Sequence, residues 1–150
     1  MRNQSLLLPV AVVGLLIAIL YPLAFAYLLF WNFWWYDLLL HFLGGAFVVF
    51  FARWSLFAAP QSVKILARLQ PLFFFLAMTL IVGVLWEFFE YAADLTYAVR
   101  GYWFDTYTDL LMDTFGGLSA YLLLSARRSF VPAQPMLKGQ GELQERGPLA

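Results

Sequence analysis

Four long apolar stretches divide this chain of 150 residues and constrain it to the folds that a membrane permits. They cover about residues 7–30, 36–57, 71–93 and 106–125. A helix needs roughly 20 residues, at 1.5 Å each, to cross the hydrocarbon core of a bilayer, and it satisfies its own backbone hydrogen bonds there. The sequence therefore predicts an all-α polytopic membrane protein, with four transmembrane helices packed as a bundle over residues 1–126.

The composition supports the membrane class and excludes several kinds of site. Hydrophobic residues make up 63% of the chain and charged residues 12%, and the net charge of zero gives no indication of a nucleic-acid partner. The absence of cysteine excludes disulfides, iron–sulfur clusters and thiol nucleophiles, and a single histidine excludes bis-histidine haem within one chain. The paired glycines lie in mid-span, which indicates helix packing and not a nucleotide-binding loop.

The distribution of lysine and arginine predicts the orientation. With four spans, one side carries most of the basic residues, namely Arg2, Arg53, Lys64, Arg68, Arg127, Arg128, Lys138 and Arg146. Arg100 alone falls on the other side. By the positive-inside rule both termini are cytoplasmic, and residues 127–150 form a flexible cytoplasmic tail rich in proline, glycine and charge. The first stretch is too long for the core of a secretion signal, so we expect it to be retained.

Seven of the nine acidic residues lie in or beside the apolar stretches, together with the single histidine, His41. The acids are Asp37, Glu87, Glu90, Asp94, Asp105, Asp109 and Asp113. Ionisable groups at membrane depth are costly, and they usually face a protein interior or a water-filled cavity. In the predicted orientation all of them fall at the outer ends of the last three spans. We therefore expect one outward-facing polar layer.

Spacing within each span places these groups on single helical faces. Asp37 and His41 are four residues apart, and the acids of the third and fourth spans follow each other at three or four residues. The glycines at 44, 45, 83, 116 and 117 continue the same faces inward, which predicts close helix packing below the pocket.

A capping role explains part of the acidic set. Asp37 and Asp105 stand at predicted helix N-termini, where aspartate is a favoured cap. Glu87 and Glu90 stand near a helix C-terminus, where the helix dipole opposes negative charge, and Asp113 lies beyond the first turn. The candidate metal ligands are therefore His41, Glu87, Glu90, Asp109 and Asp113, with Asp37, Asp94 and Asp105 as further possibilities.

Carboxylates in low dielectric require either protons or a cation. Oxygen ligands with one imidazole suit Mg, Mn or Ca, and iron is a further option. Three functions remain open. The favoured one is a cation-containing binding or assembly module, in contact with the bilayer and with a second copy or another membrane protein. The second is a metal-dependent enzyme that acts on a lipid or lipid-linked phosphate, with His41, Glu87 and Asp113 as catalytic candidates and Arg100 as a substrate contact. The third is a cation or proton transporter that works as an oligomer.

Three motifs resemble the YjdF-like family of uncharacterised multi-pass membrane proteins of the bacterial inner membrane. They are WYDLLLHFLGG at 35–45, WEFFEYAAD at 86–94 and WFDTYTDLLMDTFGG at 103–117. The likeness covers roughly residues 34–123, and the Asp-x-x-x-His-Phe element also resembles VanZ-like proteins. The resemblance implies an inner-membrane location, the topology and the grouping of the motifs. It implies no reaction.

Overall fold

The computed structural model describes residues 4–93, 95 and 101–129 and folds most of them into helices. The helices are α1 (Gln4–Ala26), α2 (Leu29–Asn32), α3 (Trp35–Ser55), α4 (Gln61–Leu69), α5 (Pro71–Ala92) and α6 (Tyr102–Ser129). No strand occurs among the described residues, so the predicted all-α class is confirmed.

Three of these helices are long and apolar enough to cross a membrane: Ser5–Ala26, Trp35–Ser55 and Pro71–Ala92. Two of them match the predicted second and third spans to within two residues. Helix α6 has 28 residues, about 42 Å at 1.5 Å each, which is ample length for a span. It does not meet the same apolar criterion, because polar residues interrupt its N-terminal half.

The first predicted span, residues 7–30, was wrong at its C-terminal end. Helix α1 ends at Ala26, and Leu28 adopts a left-handed conformation with φ 54°. A left-handed residue cannot continue a right-handed helix, so the chain turns and begins the short helix α2. The turn buries Phe30 against Ala24 and Tyr36, and the Tyr36 hydroxyl donates a 2.9 Å hydrogen bond to the Leu20 carbonyl. These contacts attach α1 to α3.

Helix α3 is the centre of the bundle. It packs most extensively along α6 and also contacts α1 and α5. Glycine makes the α3–α6 approach possible: a Cβ at Gly45 would overlap the backbone carbonyl of Asp113, and one at Gly116 would overlap that of Phe42. The backbones therefore touch at a distance that no larger residue permits.

The half of the bundle below this contact is apolar. Its buried residues include Val49, Phe50, Phe75 and Ala120, and α4 contributes Ala67. Helix α6 continues to Ser129, three residues beyond the predicted domain boundary at 126. The rest of the predicted tail, residues 130–150, lies outside the described residues.

Candidate metal centre

The polar groups of three helices meet at one end of the bundle. His41 lies two turns into α3, Glu87 lies in the last two turns of α5, and Asp109 and Asp113 lie in the third and fourth turns of α6. Because α5 runs opposite to α3 and α6, these positions fall at about the same height. His41, Glu87, Asp109 and Asp113 are all buried, with between 2% and 7% of their surface exposed. The predicted convergence of the three motifs is present in the structure.

The imidazole of His41 is the centre of the arrangement. Its Nδ1 lies 3.4 Å from Asp113 Oδ2. Its Nε2 lies 3.9 Å from Asp37 Oδ1 and 3.9 Å from Glu87 Oε1. One ring nitrogen therefore faces α6, and the other faces carboxylates of α3 and α5.

Two buried carboxylate oxygens in this layer have no hydrogen-bond partner among the residues that the structure describes: Glu87 Oε1 and Asp109 Oδ1. The second oxygen of Glu87 does have one, because the Thr106 hydroxyl donates a 2.7 Å hydrogen bond to Oε2. An unsatisfied buried acceptor costs about 1–3 kcal/mol, and more when it is charged. A bound cation or a proton would satisfy these two oxygens.

Within the described ranges, two sets of side chains in this layer have the spacing of metal ligands. Asp37, His41 and Asp109 form one set, and His41, Glu87 and Glu90 form the other. Within each set the ligand atoms all lie within 4.8 Å of one another. Four of the five residues that we named as principal metal candidates are included, along with Asp37 from the secondary group.

The remaining candidates have different positions. Asp113 belongs to neither set and instead lies on the Nδ1 side of His41. Asp37 is not an N-cap, since the cap position of α3 is Trp34; it is the third residue of the helix and faces His41. Asp105 lies in the first turn of α6 and outside both sets. Asp94 and Arg100 lie outside the described residues.

The sequence reasoning missed one participant, Thr106. It stands three residues before Asp109, which places it on the same face of α6 as the acids. A search along that face for hydroxyl groups as well as ionisable ones would have found it.

Glycines form the floor beneath Asp113. Gly44 and Gly45 of α3 and Gly83 of α5 surround it, and a Cβ at Gly83 would lie 2.5 Å from Asp113 Oδ2. One turn further along α6, Gly117 packs against the buried hydroxyl of Thr79, which donates to the Phe75 carbonyl of its own helix. The predicted glycine packing below the pocket is confirmed.

A groove between α5 and α6 leads to the same layer from the side of the bundle. Its volume is about 230 Å³, and its walls are mostly apolar. It is lined by Val84, Glu87, Phe88, Tyr91, Tyr102, Thr106 and Leu110. Glu87 and Thr106 are thus reachable from the surface of a candidate membrane span.

Comparison with known proteins gives a family but no activity. The sequence matches the family model described as "Predicted membrane protein (DUF2238)" over residues 3–129, in agreement with the YjdF-like resemblance. A likeness to VanZ-like proteins is not shown. No curated protein and no solved structure matches the chain.

Proposed function

Because the chain belongs to the DUF2238 family of predicted membrane proteins, we propose that it holds a divalent cation in its membrane-embedded helical bundle, as a binding or assembly module. The observation that carries this proposal is a pair of buried oxygens near His41, Glu87 Oε1 and Asp109 Oδ1, for which the described part of the chain supplies no hydrogen-bond partner. One cation in this layer would contact ligands from α3, α5 and α6 and would fix the three helices together.

His41 would bind the cation through Nε2. With its proton on Nδ1 it donates to Asp113 Oδ2, and the lone pair of Nε2 then faces Asp37 and Glu87. Histidine ligands in metal sites commonly donate their other ring nitrogen to a carboxylate, which fixes the tautomer and the ring orientation. In this arrangement Asp113 orients the ligand and does not bind the metal itself.

The donor set favours a hard cation. Each ligand set contains two carboxylates and one imidazole, donors that suit Mg, Mn or Ca, and iron is accommodated through the histidine. A divalent charge also offsets the negative charge of the buried carboxylates, which in a low-dielectric layer would otherwise repel one another.

Helix α6 would be the fourth span. Asp109 and Asp113 are directed into the bundle, whereas the exposed face carries apolar residues such as Phe115 and Leu122. A helix with an apolar outer face can span a bilayer when its acidic residues face the interior of the protein. With four spans, the positive-inside rule would put both termini and the residues from 127 onward in the cytoplasm, and the centre would open to the outer side of a bacterial inner membrane. A second copy of the chain or another membrane protein is the partner that an assembly module would take.

A direct binding measurement tests the proposal. The detergent-purified protein is stripped with a chelator and titrated with Mn²⁺, with free Mn²⁺ followed by electron paramagnetic resonance. We expect saturable binding by the wild type and its loss in Glu87→Gln and in Asp109→Asn. The matched control is Asp105→Asn, which removes a carboxylate outside both ligand sets and should bind as the wild type does.

Two results would overturn the proposal. One is the absence of saturable binding by folded wild-type protein with Mn²⁺, Mg²⁺, Ca²⁺ or Fe²⁺, which would leave protons as the only neutralising charge. The other is an equal loss of Mn²⁺ binding in Asp105→Asn and Glu87→Gln, which would indicate nonspecific attraction of cations to acidic residues.

The groove between α5 and α6 favours one further function, an enzyme that acts on a lipid phosphate. A lipid could reach Glu87 laterally through this groove, and a cation held there would bind its phosphate. In this alternative the cation would activate a water, and either His41 or Glu87 would accept the proton of that water in place of binding the cation. Asp113 would orient His41. Release of phosphate from a lipid phosphate by the Mn²⁺-loaded protein, but not by Glu87→Gln, is the expected result. Transport has less support, because the described bundle below the glycine floor is mainly apolar.

A further inference from the structure

Helix α4 has three distinct faces. Val63 and Ala67 are one turn apart and pack onto the hydrophobic core of the bundle. Lys64 and Arg68 are also one turn apart and form a basic face beside them. The third face is apolar and exposed, with 47% of Ile65, 53% of Leu66 and 69% of Leu69 accessible. The described bundle therefore covers only the face with Val63 and Ala67. The basic face and the exposed apolar face remain uncovered.

The neighbouring helices fix where α4 lies. It connects α3, which ends at Ser55, to α5, which begins at Pro71, and both are candidate membrane spans. A helix that joins the same-side ends of two spans lies at the boundary between hydrocarbon and water. An amphipathic helix at that boundary buries its apolar face among the acyl chains and leaves its basic residues at the headgroups.

We propose that α4 is an interfacial helix that binds anionic lipid headgroups through Lys64 and Arg68, with its exposed apolar face inserted in the same leaflet. Charge complementarity selects the lipid, since each basic residue close to an anionic surface strengthens attraction and lysine and arginine side chains can extend to the phosphates. The inference depends on α3 and α5 as spans and is independent of cation binding at His41.

Lipid selectivity is the first test. The full-length protein is purified from mixed phosphatidylcholine and phosphatidylglycerol, and the ratio of the two lipids retained is measured. At about 1 kcal/mol for each basic residue, Lys64→Gln combined with Arg68→Gln should reduce phosphatidylglycerol preference up to about thirtyfold. The control is Lys138→Gln with Arg146→Gln, which removes the same charge from the tail and should retain the preference. Equal retention of both lipids by the wild type would refute the assignment. An equal loss of phosphatidylglycerol preference in both double variants would refute it too.

Insertion of the apolar face is the second test, and the lack of cysteine makes it direct. A nitroxide is attached to Leu69→Cys and, separately, to Gln61→Cys, in protein reconstituted into the same lipids. We expect the label at 69 to be accessible to oxygen dissolved in lipid and the label at 61 to be accessible to a water-soluble nickel complex. Nickel accessibility at 69 equal to that at 61 would contradict insertion. Dipolar broadening between labels at 69 would show that a second copy of the chain covers this face, and this result would also contradict insertion into the lipid.

Discussion

Adjacent glycines in α3 provide a sharp test of the helix contact that supports the candidate centre. A Cβ at Gly44 would lie 3.6 Å from Asp113 Oδ1, which is ordinary van der Waals contact. A Cβ at Gly45 would overlap the backbone carbonyl of Asp113. We therefore expect Gly44→Ala to be tolerated and Gly45→Ala to separate α3 from α6.

The expected difference follows from the geometry. Both substitutions gain the same roughly 0.5–1 kcal/mol in helix propensity, so this contribution cancels between them. Overpacking a core by one methyl group costs about 1–3 kcal/mol. The upper end applies at Gly45, because a backbone carbonyl cannot rotate away as a flexible side chain can. Gly45→Ala should thus be about 3 kcal/mol less stable than Gly44→Ala.

Thermal unfolding in detergent, followed by tryptophan fluorescence, measures this difference. For a chain of this length, about 3 kcal/mol corresponds to a midpoint roughly 6–12 °C lower. Gly44→Ala should unfold at or slightly above the wild-type temperature. Equal midpoints for the two variants would refute the reasoning, since they would mean that α3 and α6 do not approach as closely as the structure shows.

Two further substitutions test how the polar layer is held. Asp113→Leu removes the carboxylate that orients His41 and should weaken Mn²⁺ binding about 10–100-fold without abolishing it. Partial loss of binding indicates an orienting group, whereas complete loss in a folded variant would make Asp113 a ligand. Thr106→Val removes the hydroxyl that donates to Glu87 and should cost about 1–3 kcal/mol in unfolding free energy. Thr108→Val is its control, because that hydroxyl donates only to backbone carbonyls of its own helix, and an equal cost in both variants would argue against a specific role for Thr106.

The sequence predicted the candidate centre better than it predicted the connections between helices. Helical spacing of three and four residues is a local property, and the length of a span fixes depth, so His41, Glu87 and Asp109 could be placed in one layer before the fold was known. The break at Leu28 could not be predicted, because residues 23–31 around it are apolar and contain neither glycine nor proline. It depends on the burial of Phe30 against α3, which is a tertiary contact.

The division of roles around the imidazole was also beyond the sequence. Spacing put Asp37 and Asp113 in the same pocket, but only the packing of α6 against α3 determines which ring nitrogen each carboxylate faces. Helix α4 shows the same limit, since it lies between the second and third predicted spans, where the sequence indicated no helix. Ala67 of this helix packs into the core, and this tertiary contact cannot be read from the sequence.

The sharing of His41 between the two ligand sets has a consequence for stoichiometry. Both sets require an imidazole nitrogen, and Nδ1 is already directed at Asp113, so a single nitrogen remains for coordination. A chain should accordingly saturate at one equivalent of metal, although its acids could formally supply two sites. Different divalent ions would then displace one another competitively, and a titration with two inflections would indicate that the imidazole turns away from Asp113 on binding.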